Sequence, residues 1–172
     1  MTLTDTTRPA AVAALEAELT DLLGERNVST ELRARERASV DGARMSPIIS
    51  ELLPLGVADV VAFPTDAAQI GQAVAAAVRH GVPVTPRGKG TGNYGQGIPM
   101  SGGLVLDLSR ARAVVEVGEG WLTAEAGTPM VTCERAAQAT GQQLWMYGSA
   151  ASPSTCTSCA SGTPCTTSSA ST

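Results

Sequence analysis

One stretch of the chain combines residues that could do chemistry, PVTPRGKGTGNYGQG at residues 83–97. It contains two cations, Arg87 and Lys89, and no carboxylate, and its glycines are Gly88, Gly90, Gly92, Gly95 and Gly97. Glycine adopts positive φ without strain and lets a backbone approach a ligand closely. Successive backbone N–H groups in such a loop form a concave anion site, and neighbouring cations suit a phosphate. The stretch therefore predicts a loop that binds a diphosphate.

Two familiar phosphate motifs do not explain this loop. A P-loop requires GxxxxGK followed by Ser or Thr, but Pro83 stands at the first glycine position and Gly90 follows the lysine. Residues 90–95 match GxGxxG, yet that motif works through a helix that begins in the loop. The glycines and proline within 97–103 make such a helix unfavourable. A non-helical phosphate loop and a flexible surface loop are the two remaining interpretations.

The elements before the loop predict how it is held. DVVAF at residues 59–63 is β-branched and apolar, and Pro64 ends it. A helix follows, for which Thr65 is the expected N-cap, and VPVTP at 82–86 predicts a second strand. Together they predict a βαβ unit with parallel strands. The loop then leaves the carboxyl end of a strand, where ligands bind in open α/β sheets.

The sole histidine, His80, lies at the end of this helix, and Gly81 follows it. A cation and a glycine are both favourable at a helix C-terminus. This position favours a structural role of His80 over a catalytic one.

The other patterns predict an α/β (α+β) arrangement, a small mixed sheet with flanking helices. Helical periodicity or caps are found at 9–23, at 29–38 with Ser29 as the N-cap, and at 129–140, whereas 41–54 is predicted to be irregular. A strand is expected at 104–108 and a hairpin at 113–127.

Composition limits the possible partners and location. The 172 residues suffice for one domain with its own core. A net charge of −4 and a pI near 5.0 argue against a nucleic-acid partner. No apolar run is long enough to span a bilayer, and the N-terminal residues lack the pattern of a secretory signal. We expect a cytoplasmic protein that neither binds nucleic acid nor inserts into a membrane.

Three of the four cysteines, Cys156, Cys159 and Cys165, lie near the C-terminus, the first two as CxxC. A zinc site would need a fourth ligand nearby, and His80 is distant in sequence. A thioredoxin-like motif would need a following amphipathic helix, which the sequence does not predict. We expect neither a metal site nor a redox role there.

Residues 148–172 differ in composition from everything before them. They contain no charged or aromatic residue and no Val, Leu, Ile or Met. Such a segment buries too little apolar surface to offset the entropy of ordering, so we expect a disordered tail. A reading-frame shift in the coding DNA would also produce so abrupt a change, and we favour it over an evolved linker.

The order of motifs resembles the FAD-binding domain of the vanillyl-alcohol oxidase and p-cresol methylhydroxylase type (PCMH-type), found in FAD-linked oxidases and D-lactate or glycolate dehydrogenases. The matching pieces are AFPTDAAQI at 62–70, RHGVPVTPRGKGTGNYGQG at 79–97, GGLVLDLSR at 102–110 and TAEAGTPM at 123–130. The resemblance implies an N-terminal lead-in at 1–56 and an FAD-binding domain at 57–147, with residues 148–172 as the tail.

The resemblance also implies roles for individual residues. Gly88, Gly90, Gly92 and Gly95 would bind the FAD pyrophosphate through backbone amides, Arg87 and Lys89 would add charge, Thr91 or Asn93 would add a side-chain hydrogen bond, and Gly127 would lie close to the flavin. Some relatives attach flavin through a histidine of this loop, and the resemblance places Thr91 at the matching position. The resemblance therefore implies non-covalent FAD.

In the family a second flavin-binding segment and a substrate domain follow, and here the resemblance stops near residue 149. The resemblance thus implies a truncated form of an oxidoreductase that acts on a small hydroxy acid or alcohol. The resemblance assigns no catalytic base within this chain. The alternatives are a non-catalytic remnant half-domain and an unrelated nucleotide- or anion-binding module.

Overall fold

The computed structural model describes residues 8–43, 46–53 and 55–144, and the backbone alone of 165–169. The helices are α1 (Arg8–Leu23), α2 (Leu32–Ala38), α3 (Pro47–Leu52), α4 (Ala67–Arg79) and α5 (Met130–Gln138), with short 3-10 turns at Glu25–Asn27 and Leu108–Arg110. The strands are β1 (Val28–Ser29), β2 (Val60–Ala62), β3 (Val84–Arg87), β4 (Leu104–Asp107), β5 (Val114–Gly118), β6 (Trp121–Ala124), β7 (Gln142–Leu144) and β8 (Cys165–Ser169).

The first sheet has the order β1-β2-β4-β3. Strands β2 and β3 both run parallel to β4, and β1 is antiparallel to β2. The predicted βαβ unit of β2, α4 and β3 is confirmed, and β4 lies between its two strands. The fold is therefore mixed α/β, as the sequence predicts.

Alternation along the strands divides the first sheet into two buried faces. Leu104 and Leu106 of β4 belong to the larger core, which includes the apolar residues of α1 and α4. Val105 lies between them in sequence and belongs to the other cluster, which includes Ala38 of α2. Helices α1 and α4 thus cover one face, and α2 covers part of the other.

The second sheet is built on the predicted hairpin. Strands β5 and β6 pair antiparallel from Val114↔Ala124 to Gly118↔Trp121, and the order of the sheet is β5-β6-β8-β7. Leu122, Cys133 and Leu144 belong to a third apolar cluster that joins α5 to this sheet.

Three local predictions were wrong for identifiable reasons. Ser29 does not cap α2, because Val28 and Ser29 pair with β2, and the N-cap is Glu31. The region predicted to be irregular contains α3, whose N-cap Ser46 accepts a hydrogen bond from the Ile49 amide. Helix α4 is capped by Asp66, one residue after the predicted Thr65, and its carboxylate accepts from the Gln69 amide at 2.8 Å.

Most of the predicted tail lies outside the described residues, including Cys156 and Cys159. Residues 165–169 are extended in the structure, pairing with β6 and β7. This differs from the disorder expected of them, since strand pairing uses backbone groups and needs no large apolar side chain. Among the described residues, no helix is long and apolar enough to cross a membrane, and no cluster of three or more His, Cys, Asp or Glu could hold a metal.

Candidate cofactor-binding site

The glycine loop, residues 88–97, begins where β3 ends, at the carboxyl edge of the three parallel strands. After it the chain returns to the opposite edge, where β4 begins at Leu104. No helix begins between residues 88 and 103, all of which the structure describes. Gly90 and Gly95 have φ of 68° and 79°, so two of the five loop glycines adopt the left-handed conformation. The loop is non-helical, as the sequence predicts.

Arg87 is the last residue of β3, and its side chain reaches the end of α2. Its Nη1 donates hydrogen bonds to the backbone carbonyls of Arg37 at 3.0 Å and Val40 at 3.2 Å. Its Nε is buried without a hydrogen-bond partner among the described residues. Arg87 Nη1 therefore binds the protein's own carbonyls, a contact that the sequence did not predict.

The guanidinium of Arg87 also lies over Gly90. A Cβ at residue 90 would overlap Arg87 Nη2 and come within 2.9 Å of Cζ. Glycine is favoured here by its positive φ, and any larger residue would also displace the Arg87 guanidinium.

The other predicted polar residues of the loop face solvent. Lys89, Thr91 and Asn93 are exposed, and Lys89 forms no hydrogen bond or ion pair within the described part of the chain. Gly88 is buried, and a Cβ on Gly92 would meet the side chain of Gln96 at 2.6 Å. Of the predicted ligands, the exposed face of the loop thus presents one free cation, Lys89, and two polar side chains, Thr91 and Asn93.

Residues 40–43 pack against the loop. Neither composition nor motif spacing predicted this contact. The Asp41 carboxylate accepts from the amides of Gly97 at 3.3 Å and Ala43 at 2.9 Å. An added Cβ on Gly42 would lie 3.0 Å from the Gly92 carbonyl oxygen.

Gly127 follows β6 and packs against the 3-10 turn at Leu108–Arg110. Its amide donates to the Ala111 carbonyl at 2.8 Å. A Cβ would overlap the Leu108 carbonyl oxygen and come within 2.6 Å of the Ala111 oxygen. The protein's own backbone thus explains why glycine stands here, and the proximity of Gly127 to a flavin remains a prediction.

The structural role predicted for His80 is confirmed by its surroundings. It is the C-cap of α4, and its Nε2 lies 2.8 Å from Glu18 Oε2 on α1. Arg79 also contacts the Glu18 carboxylate. Hydrogen bonds from Arg79 and then His80 lower the pKa of Glu18 below its ordinary value. This cluster joins two helices on the face opposite α2.

A family model described as "FAD binding domain" matches residues 58–170, about two thirds of the chain. An uncharacterized FAD-linked oxidoreductase of Mycobacterium tuberculosis is 33% identical over 88 residues, 50% of this chain and 19% of that protein. The glycolate oxidase subunit GlcD of Bacillus subtilis is 33% identical over 76 residues, 44% of this chain and 16% of that protein. The chain thus spans less than a fifth of the length of these relatives.

Two solved structures share the fold at low identity. Alkyldihydroxyacetonephosphate synthase superposes with a TM-score of 0.72 and 17% identity, over 88% of this chain and 31% of the other. p-Cresol methylhydroxylase superposes with a TM-score of 0.61 and 18% identity, over 80% of this chain and 26% of the other. With the glycine loop inside the matched region, the chain belongs to the FAD binding domain family of PCMH-type flavoproteins.

Proposed function

We propose that this chain binds FAD non-covalently and that the glycine loop holds its pyrophosphate. The proposal rests on one observation: the loop, with its left-handed glycines and its exposed lysine, lies inside the region that matches the FAD binding domain. Backbone amides of Gly88, Gly90, Gly92 and Gly95 would face the phosphates. Lys89 would add charge, and Thr91 and Asn93 would add hydrogen bonds.

The residues present fit a diphosphate in charge and in space. Residues 88–97 contain no carboxylate, and the nearby Asp41 already accepts from two amides. The exposed side of the loop is free of large apolar side chains except Tyr94, which is 91% exposed. No loop histidine is available for a covalent link to the flavin.

We further propose that the complete oxidoreductase oxidises a small hydroxy acid or alcohol in the cytoplasm. The glycolate oxidase subunit among the relatives supports this substrate class. FAD, when bound, supplies the redox chemistry, and the protein supplies placement. We assign no catalytic residue in the chain, whose part is to position the cofactor.

Purification of the 172-residue chain followed by FAD titration tests the proposal. A yellow protein, or a colourless one that takes up FAD with flavin absorbance, would support it. A folded protein that takes up no FAD would favour the non-catalytic remnant. Tight binding of a different nucleotide, with no FAD uptake, would favour an unrelated nucleotide-binding module.

A further inference from the structure

The glycine loop is held at both ends by the last turn of α2 and the segment at residues 40–43. At its beginning, Arg87 Nη1 donates to the carbonyls of Arg37 and Val40. At its end, the Gly97 amide donates to Asp41 Oδ2 at 3.3 Å. The two attachment points, Arg87 and Gly97, lie ten residues apart in sequence, whereas their partners all lie between Arg37 and Asp41.

The middle of the loop lies against the same segment. A Cβ on Gly42 would meet the Gly92 carbonyl oxygen at 3.0 Å, Asn93 Oδ1 at 3.3 Å and the Thr91 carbonyl oxygen at 3.4 Å. Such distances are too short for a larger residue unless the loop moves. Contact at residue 42 therefore restrains the part of the loop between its two attached ends.

The residues that lead into this segment, Arg35 and Ser39, are bonded to the chain just before β2 of the first sheet. Ser39, only 5% exposed, donates from Oγ to the Arg35 carbonyl at 2.6 Å and accepts from the Ala58 amide at 2.8 Å. Arg35 Nε donates to the Ala58 carbonyl at 2.5 Å. Ala58 lies two residues before β2, so these hydrogen bonds fix the segment relative to the first sheet. The segment in turn holds the loop in a fixed position relative to that sheet.

We propose that Asp41 and Arg87 are positioning residues that hold the glycine loop in its FAD-binding shape, and that neither is a phosphate ligand. This rests on the proposed function, because it assigns roles within the same site. A loop that is ordered before binding loses less conformational entropy on binding. Removal of either anchor therefore weakens FAD binding without removing a ligand contact.

The negative charge of Asp41 makes its role testable, because a positioning role and simple electrostatics predict opposite changes in FAD affinity when the carboxylate is removed. A carboxylate beside an anion site repels a phosphate, so simple electrostatics predicts that Asp41→Ala strengthens FAD binding. The positioning role predicts the opposite. We expect Asp41→Ala to weaken FAD binding about tenfold, and Asp41→Asn, which keeps one acceptor oxygen, to weaken it less.

The experiment combines FAD titration with hydrogen exchange of the free protein. Wild type, Asp41→Asn, Asp41→Ala and the control Asp21→Ala, an exposed acid on α1, are compared by dissociation constant and by exchange of the Gly97 and Ala43 amides. We expect exchange at both amides to accelerate in Asp41→Ala, partly in Asp41→Asn, and not in the control. Melting temperatures identify any variant that fails to fold. If Asp41→Ala fails to fold, the result for Asp41→Asn decides the test.

The two measurements, FAD binding and amide exchange, distinguish failure of this inference from failure of the proposed function. If the wild-type chain takes up no FAD, the proposed function fails for this chain, and amide exchange alone decides whether Asp41 anchors the loop. Unchanged exchange at Gly97 in a folded Asp41 variant would overturn the inference, as would FAD binding strengthened by the loss of the carboxylate. Arg87→Gln, with Arg33→Gln on the exposed side of α2 as control, should likewise accelerate exchange across residues 88–97.

Discussion

At the scale of residues, the two cations of the glycine loop have different environments. Arg87 and Lys89 are separated by one residue and look equivalent in sequence. Strand alternation directs Arg87 towards the α2 side of the sheet, where it binds two carbonyls. Lys89 lies beyond the strand and is exposed. Lys89 is therefore the cation available to a phosphate.

Lys89→Ala should weaken FAD binding modestly, about twofold to fivefold, because a solvated ion pair contributes little. The loss should shrink as salt is raised, since salt screens exposed charges. FAD titration at low and high salt measures both effects, with Arg33→Ala as the control. A salt dependence identical to that of the wild type would exclude a phosphate contact for Lys89.

Gly90→Val should abolish FAD retention. A valine at residue 90 would have to adopt a backbone φ of 68°, and its side chain would overlap the Arg87 guanidinium. Flavin absorbance of the purified variant measures retention, and circular dichroism checks its fold. Gly71→Ala in α4, where an added Cβ meets nothing within 4 Å, should leave flavin content unchanged. Normal flavin content in Gly90→Val would count against the loop as the binding site.

Gly127→Ala should lower the free energy of unfolding by about 2–3 kcal/mol, because the new Cβ overlaps the Leu108 carbonyl. Gly120→Ala is the comparison, since φ there is 80° but no atom lies within 4 Å of the added carbon. It should cost only the conformational strain, about 1–2 kcal/mol. Urea denaturation of both variants gives the two values. A smaller loss at residue 127 than at residue 120 would contradict the close packing.

At the scale of elements, the sequence predicted the strands and helices that surround the loop because their patterns are local. Strand β2 is a continuous apolar run, and β5–β6 alternate around a glycine turn. Other features depend on partners distant in sequence. Ser29 reads as a helix cap until β2 is placed beside it, and the Asp41–Gly97 contact joins residues 56 positions apart. Local sequence patterns do not show which distant residues will pair, so neither the pairing of Ser29 nor the Asp41–Gly97 contact could be predicted.

The contact between α1 and α4 should depend on pH through Glu18. Its pKa is lowered by hydrogen bonds from Arg79 and His80, so its stabilising contribution is present above the unfolded pKa near 4.5 and disappears as pH falls through the lower folded value. The difference in unfolding free energy between wild type and Glu18→Gln should therefore be present at pH 6 and vanish in acid. Urea denaturation across this pH range measures it.

Asp21→Asn on the same helix provides the matched control, because Asp21 is exposed and forms no ion pair with another described residue. It should change stability little at any pH. A Glu18→Gln difference that persists unchanged in strong acid would contradict the ion-pair explanation.

At the scale of the molecule, two sheets share one chain, and the candidate loop belongs to the first. The family match runs from residue 58 to 170 and thus includes the second sheet, the first sheet except β1, and most of residues 148–172. Whether residues 148–172 arise from a frame shift remains a prediction that resequencing of the coding DNA tests. An adjacent frame that encodes no glycine-rich α/β continuation would exclude it.

The most direct test of the central claim is to map where FAD contacts this chain. Backbone amide shifts are recorded by NMR during titration with FAD, and again with riboflavin, which lacks the diphosphate. We predict that FAD shifts the amides of residues 88–97 and that riboflavin leaves them unchanged. FAD-induced shifts confined to other residues, or equal shifts of the loop with riboflavin, would contradict a diphosphate-binding glycine loop.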